Sequence, residues 1–258
     1  MWPVADDVKL EPVDLDGVKG EWSIVPGADA SRALMFFHGG GYCSGSIASH
    51  RRMATEAGRA GGVRALAVAY RLAPEHPFPA ARDDALTAWR QLRKEGYPAK
   101  RIAVGGDSAG GNLTLALVGE LTRAGEDLPG CLWLISPWTD LAMSGATLTS
   151  KSEVDPLIHK EYLQELADAY APQDRRDPRL SPLYADLRGL PPTLVQVGSA
   201  ETLLDDAVRF AAAAGEADDS VTLEIWAHMI HAWPLWNARL EPGRRALAHA
   251  GAFLRKNL

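Results

Sequence analysis

A serine between two glycines, Gly106-Asp107-Ser108-Ala109-Gly110, is the stretch whose residue types and spacing point most directly to chemistry. Residues 101–105 before it are short and apolar and read as a strand, and residues 112–124 after it read as a helix. G-x-S-x-G at a strand-to-helix junction is the nucleophile-elbow pattern. Such a turn is too tight for a Cβ at either flank, so glycine takes both positions. The serine hydroxyl is lifted clear at the end of a sheet. The unpaired N–H groups of the helix that follows favour a nearby developing anion. A dinucleotide-binding loop is the rival explanation of the glycines. It fails on spacing, because G-x-G-x-x-G begun at Gly105 needs glycine where Asp107 stands. A phosphate-binding P-loop fails as well, since no Gly-Lys-Ser/Thr follows.

A serine hydroxyl is a poor nucleophile until a base takes its proton. His231 follows the apolar run 221–226 through a short loop and is a candidate base; His228, three residues earlier, competes with it. Glu201, just past the apolar run 193–197, is the candidate acid to orient the imidazole, with Asp205 and Asp206 as rivals one helical turn on. His38-Gly39-Gly40-Gly41 directly follows another buried strand. Three glycines there carry an entropic cost, and they suit a backbone that must approach a substrate oxyanion closely. Gly40 and Gly41, with Ala109 after the serine, are the candidate oxyanion donors. His50, His76, His159 and His249 read as structural or surface residues.

The elements that must hold these residues follow from hydrophobic periodicity. Strands are expected at 8–15, 20–25, 33–37, 63–69, 102–105, 131–135, 193–197 and 221–226. Helices are expected at 47–59, 80–94, 112–124, 160–171, 203–214 and 244–256. Several strands are continuous apolar runs, as expected when both faces are covered. The helix at 112–124 is apolar nearly all round and should be buried. Alternating strands and helices predict an α/β fold with a mostly parallel central sheet and helices on both faces. Residues 141–186 break the pattern. They are polar, rich in Pro and Asp, and carry one amphipathic helix whose apolar face is Tyr162, Leu163, Leu166 and Tyr170. A connection longer than ~15 residues usually has a function, so this one reads as a small cap insertion into a domain formed by 1–140 and 187–258. His38, Ser108, Glu201 and His231 all fall just after expected strands, where open α/β sheets bind ligands.

Composition narrows the alternatives. A chain of 258 residues suits one domain and buries roughly 70–75% of its unfolded surface without disulfide staples. Net charge is −6, which argues against nucleic acid as a partner and offers no basic patch for an anionic membrane. Cys131 reads as a buried small hydrophobe. Cys43 lies close to the suspected site, but no metal-ligand spacing surrounds it, so no metal is expected. The start, Met-Trp-Pro-Val-Ala-Asp-Asp, lacks a basic n-region and an apolar core. No run approaches the ~18 apolar residues of a membrane span, and the expected compartment is the cytoplasm.

Taken together, the motifs resemble the bacterial hormone-sensitive-lipase family of α/β-hydrolase esterases. The stretches that carry the resemblance are His38-Gly-Gly-Gly-Tyr-Cys-Ser-Gly-Ser46, Tyr70-Arg-Leu-Ala-Pro-Glu-His-Pro-Phe-Pro-Ala80, Gly106-Asp-Ser-Ala-Gly-Gly111, Gly198-Ser-Ala-Glu-Thr-Leu-Leu-Asp-Asp206 and His228-Met-Ile-His-Ala-Trp233. The order Ser, acid, His along the chain matches that fold. The resemblance implies Ser108 as nucleophile and His231, rather than His228, as base. It implies hydrolysis of short- to medium-chain carboxylic esters without a cofactor, a two-part cap with 141–186 as its second part, and a homodimer through the last strand and helix, here 221–226 and 244–258. Two departures stand out. The family's usual acid is the aspartate of an Asp-Pro-Leu-x-Asp pattern, whereas Glu201 holds that place, with Asp205 as the fallback. The helical turns that usually precede the first strand are nearly missing, so an open, wet acyl pocket is expected.

Several further readings are open to test. An amidase or deacetylase could use the same three residues, and matched ester and amide substrates would separate the two. A non-catalytic ligand receptor on this fold would bind an ester without turnover; Ser108 and His231 together argue against it. Arg71 and Glu75 are expected to tie the proline-rich loop to the sheet, and Asp107 to point away from the nucleophile. Tyr42, Met143, Ile230 and Trp233 are candidates for the pocket wall, although such side chains are more often core.

Overall fold

The computed structural model describes residues 2–171 and 174–258, so positions 172 and 173, in the stretch 141–186 expected to form a cap insertion, lie outside the described residues. Among the described residues, eight strands form a single sheet. They are β1 (Lys9–Leu15), β2 (Val18–Ile24), β3 (Asp29–Phe37), β4 (Val63–Ala69), β5 (Ile102–Asp107), β6 (Cys131–Ile135), β7 (Thr193–Gly198) and β8 (Val221–Trp226). Their order across the sheet is β1-β2-β4-β3-β5-β6-β7-β8. The pairings β1/β2 and β2/β4 are antiparallel, and every pairing from β4 onward is parallel.

Seven α-helices among the described residues accompany the sheet: α1 (Ile47–Gly61), α2 (Ala80–Lys94), α3 (Ala109–Ala124), α4 (Thr147–Ser150), α5 (Lys160–Tyr170), α6 (Leu204–Glu216) and α7 (Glu241–Asn257). The continuous apolar strands are buried on both faces, as their sequence requires. Met35, Phe37, Val104, Leu132, Leu134, Val195 and Val197 pack with Trp89 of α2, Leu113 and Leu117 of α3 and Phe210 of α6. The alternate residues Leu34, Phe36, Ala103, Trp133 and Ile135 pack with Met53 and Ala57 of α1 and Leu247 and Leu254 of α7. The period of two along each strand thus builds two cores at once.

One boundary difference bears on the site. The helix expected from residue 112 begins at Ala109. Gly110 and Gly111 are weak helix formers, but tertiary packing overrides them: a Cβ on Gly110 would strike the Phe37 carbonyl, and one on Gly111 would come within 2.9 Å of Pro137. Within the stretch 141–186, no periodicity marks the one-turn α4. Tyr162 also turns outward, 43% exposed, while Leu163, Leu166, Ala167 and Tyr170 form the buried face of α5.

Register brings the ends of the strands together. Phe37 pairs with Gly106, so the His38 glycine run emerges beside the elbow. Asp107 pairs with Ile135, so Ser136 emerges beside Ser108 on its other side. β4 lies on one flank of β3 and β5 on the other, the reversal of strand order at which open parallel sheets form a crevice. The proline-rich loop departs from expectation. Arg71 ties it to Asp84 of α2 through a side-chain pair of 2.7 Å and a backbone bond of 2.8 Å, and Glu75 is exposed to solvent, so its anchor is a helix and not the sheet.

Candidate active site

Ser108 adopts φ 54 and ψ −120, a conformation that a non-glycine residue holds only where its surroundings over-determine it. Its N–H donates to Ile135 O at 2.9 Å, and its carbonyl accepts from Asn112 and Trp138 at 3.2 and 3.1 Å. Both flanking glycines are required sterically. A Cβ on Gly106 would lie 2.7 Å from Phe37 O and closer still to Gly110, and one on Gly110 would overlap the same Phe37 carbonyl.

His231 is buried, and its Nδ1–H donates to Glu201 Oε2 at 2.8 Å. That bond leaves Nε2 as the basic nitrogen. Burial pushes the His231 pKa down, but the hydrogen bond and charge of Glu201, with smaller contributions from Asp155 and Asp107, outweigh it and leave the pKa above the ordinary 6.5. Glu201 is fully buried, and its Oε1 accepts from Gly198 N–H at 2.6 Å and from the Ser136 hydroxyl at 2.8 Å. The rivals are engaged elsewhere. Asp205 accepts from the Ala146 N–H, Asp206 accepts from the Thr139 and Asp140 N–H groups, and His228 is exposed.

The glycine loop lies against the elbow. Gly40 and Gly41 have positive φ, 117 and 61. Among the described residues, no protein acceptor takes the N–H groups of Gly40, Gly41 or Ala109. A Cβ on Gly40 would strike the Ser44 backbone, and one on Gly41 would strike Leu166 of α5.

Support for this loop comes from residues that sequence reasoning left as structural. Asp107, expected to point away from the nucleophile, accepts from Gly39 N–H at 3.0 Å and from His50 Nε2–H at 3.1 Å. Burial opposes a charge on Asp107, yet His50 above all holds its pKa below the usual carboxylate value. His38 stacks on Tyr70 with ring centroids 4.3 Å apart and donates from Nδ1 to Gly39 O. Burial pushes its pKa down to about 4, so it is a neutral prop and not a charge.

Ser108, His231, Gly40 and Gly41 line one cavity of about 250 Å³. Its apolar wall is Leu157, Ile158, Leu163 and Leu166 from the insertion, with Leu235 and Trp236. Tyr42, Met143, Ile230 and Trp233 are not part of that wall. Tyr42 instead stacks on Tyr170 at 3.7 Å and donates to Asn112, and Trp233 is wholly buried. The expected open, wet pocket holds only at the rim: Leu157 and Tyr162 are 41% and 43% exposed, while Ser108 is 5% exposed. Among the described residues, no group of three or more His, Cys, Asp and Glu side chains is placed to hold a metal ion, and no helix is long and apolar enough to cross a membrane.

Comparison with known proteins agrees with this architecture. A family model of the alpha/beta hydrolase fold matches residues 34–235. An acetyl-hydrolase of Streptomyces hygroscopicus is 44% identical over 236 residues, which are 91% of this chain and 79% of that protein. An esterase of Acinetobacter venetianus is 38% identical over 98% of this chain and 84% of its own length. A crystal structure of an esterase from the bacterial hormone-sensitive lipase family superposes with TM-score 0.98 at 44% identity, covering 99% of this chain and 86% of that one. A sheet, elbow and glycine loop of this kind, together with identity across almost the whole chain, make it a member of the bacterial hormone-sensitive-lipase family of α/β-hydrolase esterases.

Proposed function

We propose that the chain is a serine carboxylesterase that cleaves short- to medium-chain carboxylic esters through an acyl-enzyme. The observation that carries this reading is the buried His231–Glu201 pair, whose His231 lines the same cavity as Ser108. Ser108 Oγ attacks the ester carbonyl carbon while His231 Nε2 takes its proton. Negative charge collects on the former carbonyl oxygen. The unpaired N–H groups of Gly40, Gly41 and Ala109 are the donors for it, each worth on the order of 3 kcal/mol of transition-state stabilisation. The tetrahedral intermediate collapses, and the alcohol leaves with the proton held by His231. Water then gives a proton to His231 and attacks the acyl carbon. Ser108 Oγ departs with that proton, and the carboxylic acid is released.

The cavity of about 250 Å³ lies below the ~300–1,000 Å³ of pockets for drug-sized ligands, which favours short acyl groups. The acetyl-hydrolase named among the relatives supports the same size class. Initial rates on p-nitrophenyl esters of increasing acyl length, with Ser108→Ala alongside, test the reading. Rates that fall steeply beyond medium chains and vanish in the variant are expected. Equal turnover by Ser108→Ala would overturn it.

A further inference from the structure

Ser136 is the first residue after β6, wholly buried and held at φ 45. Its hydroxyl donates to Glu201 Oε1 at 2.8 Å and accepts from the N–H of Ala232 at 3.0 Å. The directions are fixed by the partners, since an ionised carboxylate only accepts and a backbone N–H only donates. A single oxygen therefore joins the side chain of the proposed acid to the backbone that follows the proposed base. With Gly198 N–H it fills Oε1 of Glu201, and Oε2 is left to His231.

The placement of Ser136 gives that ring a reference point. The Ile135 carbonyl accepts from the Ser108 N–H, and Ser136 N–H donates to Gln196 O of β7. Nucleophile, acid and base come from the ends of three different strands, and Ser136 contacts or adjoins the segments that carry all three. A residue at φ 45 would be less strained as glycine. A serine kept in a strained conformation points to a use for its hydroxyl.

We propose that Ser136 is a positioning residue for the esterase reaction, holding Glu201 and His231 in one orientation relative to the Ser108 turn through these two hydrogen bonds. This rests on the ester-hydrolase reading above. Ser136→Gly removes the hydroxyl and suits the backbone conformation, so it is expected to fold; Ser136→Ala is the second variant. With p-nitrophenyl butyrate, and with rates counted per folded molecule by circular dichroism, kcat is expected to fall about 10- to 100-fold in both, the cost of one hydrogen bond to a charged group. KM is expected to stay within about twofold, since the hydroxyl does not line the substrate cavity. The acid limb of kcat/KM should also move to higher pH, because a Glu201 carboxylate with one donor fewer draws the His231 proton more strongly. A purely structural serine would change the melting temperature and leave kcat per folded molecule and the pH midpoint where they were, and that result overturns the proposal. Absence of turnover by the wild-type protein would instead overturn the esterase reading itself.

Discussion

Glu201 accepts from His231 on one oxygen and from two further donors on the other, so its carboxylate is both oriented and aimed. Because the folded pKa of His231 is raised, the imidazole is protonated and unable to act as base at low pH, and it gains that capacity as pH rises through a midpoint above 6.5. The kcat/KM profile should show that midpoint as its acid limb. Glu201→Gln removes the main contribution that lifts the pKa and leaves burial to dominate. The midpoint is then expected to drop below that of the wild type, with kcat lower by on the order of 10³-fold or more from loss of the oriented tautomer. An unchanged midpoint in a pH–rate titration would assign the base to another residue. The residues named for chemistry could be read from the chain because each sits at the carboxyl end of a recognisable strand. Their partners could not. Ser136 bonds to Glu201 across 65 positions, His50 to Asp107 across 57 and Asp155 to Thr202 across 47. No local pattern encodes a contact that exists only once the sheet has set the register.

At the level of elements, α5 does more than roof the cavity. Leu166 touches the position a Gly41 side chain would occupy, Tyr170 stacks on Tyr42, and the Tyr170 carbonyl accepts from Phe78 N–H. Gly41→Ala should drive a methyl into Leu166 and lower kcat on the order of 10²-fold through the displaced donor. Adding Leu166→Ala is expected to recover part of that loss. Gly40→Ala should not be rescued in this way, because its Cβ meets the Ser44 backbone. Steady-state kinetics of the double variants checks both. The β6 loop and α6 are joined by Asp206, whose buried carboxyl has its pKa pushed up to about 8 by burial. Its folded pKa lies above the ordinary 3.8, so between these values the folded state keeps a proton that the unfolded chain has released, and stability falls as pH rises. Asp206→Asn keeps an oxygen for the Thr139 and Asp140 N–H groups without the charge. In urea titrations its stability relative to wild type should improve steadily from about pH 5 to about pH 8, and a flat difference would refute the assignment. The one-turn α4 and the early start of α3 escaped the sequence for related reasons: four residues give no periodicity, and glycines that look like helix breakers are demanded by contacts with Phe37 and Pro137.

Across the whole molecule, alternating strands and helices were enough to read the layered α/β plan. The strand order was not, because β4 must cross to the far side of β3 before β5 returns, and periodicity carries no information about which neighbour a strand takes. β8 closes the sheet at one edge with Ile225 52% exposed, and we propose that a second copy pairs there. Sedimentation velocity is expected to show a dimer that Ile225→Lys converts to monomer with turnover per chain unchanged; a monomeric wild type would rule this out. The contact between Leu166 and Gly41 has a consequence for anyone reshaping the substrate range. Leu157 and Tyr162 stand at the rim, apart from the glycine loop, and can be exchanged to admit other acyl or alcohol groups with the reaction machinery left alone. Leu166 cannot be treated as wall alone, since a change that enlarges the cavity there also loosens the glycine loop proposed to hold the oxyanion. Directed evolution toward bulkier esters should therefore accumulate substitutions at the rim first, and those at Leu166 only alongside compensating changes in the loop beneath it.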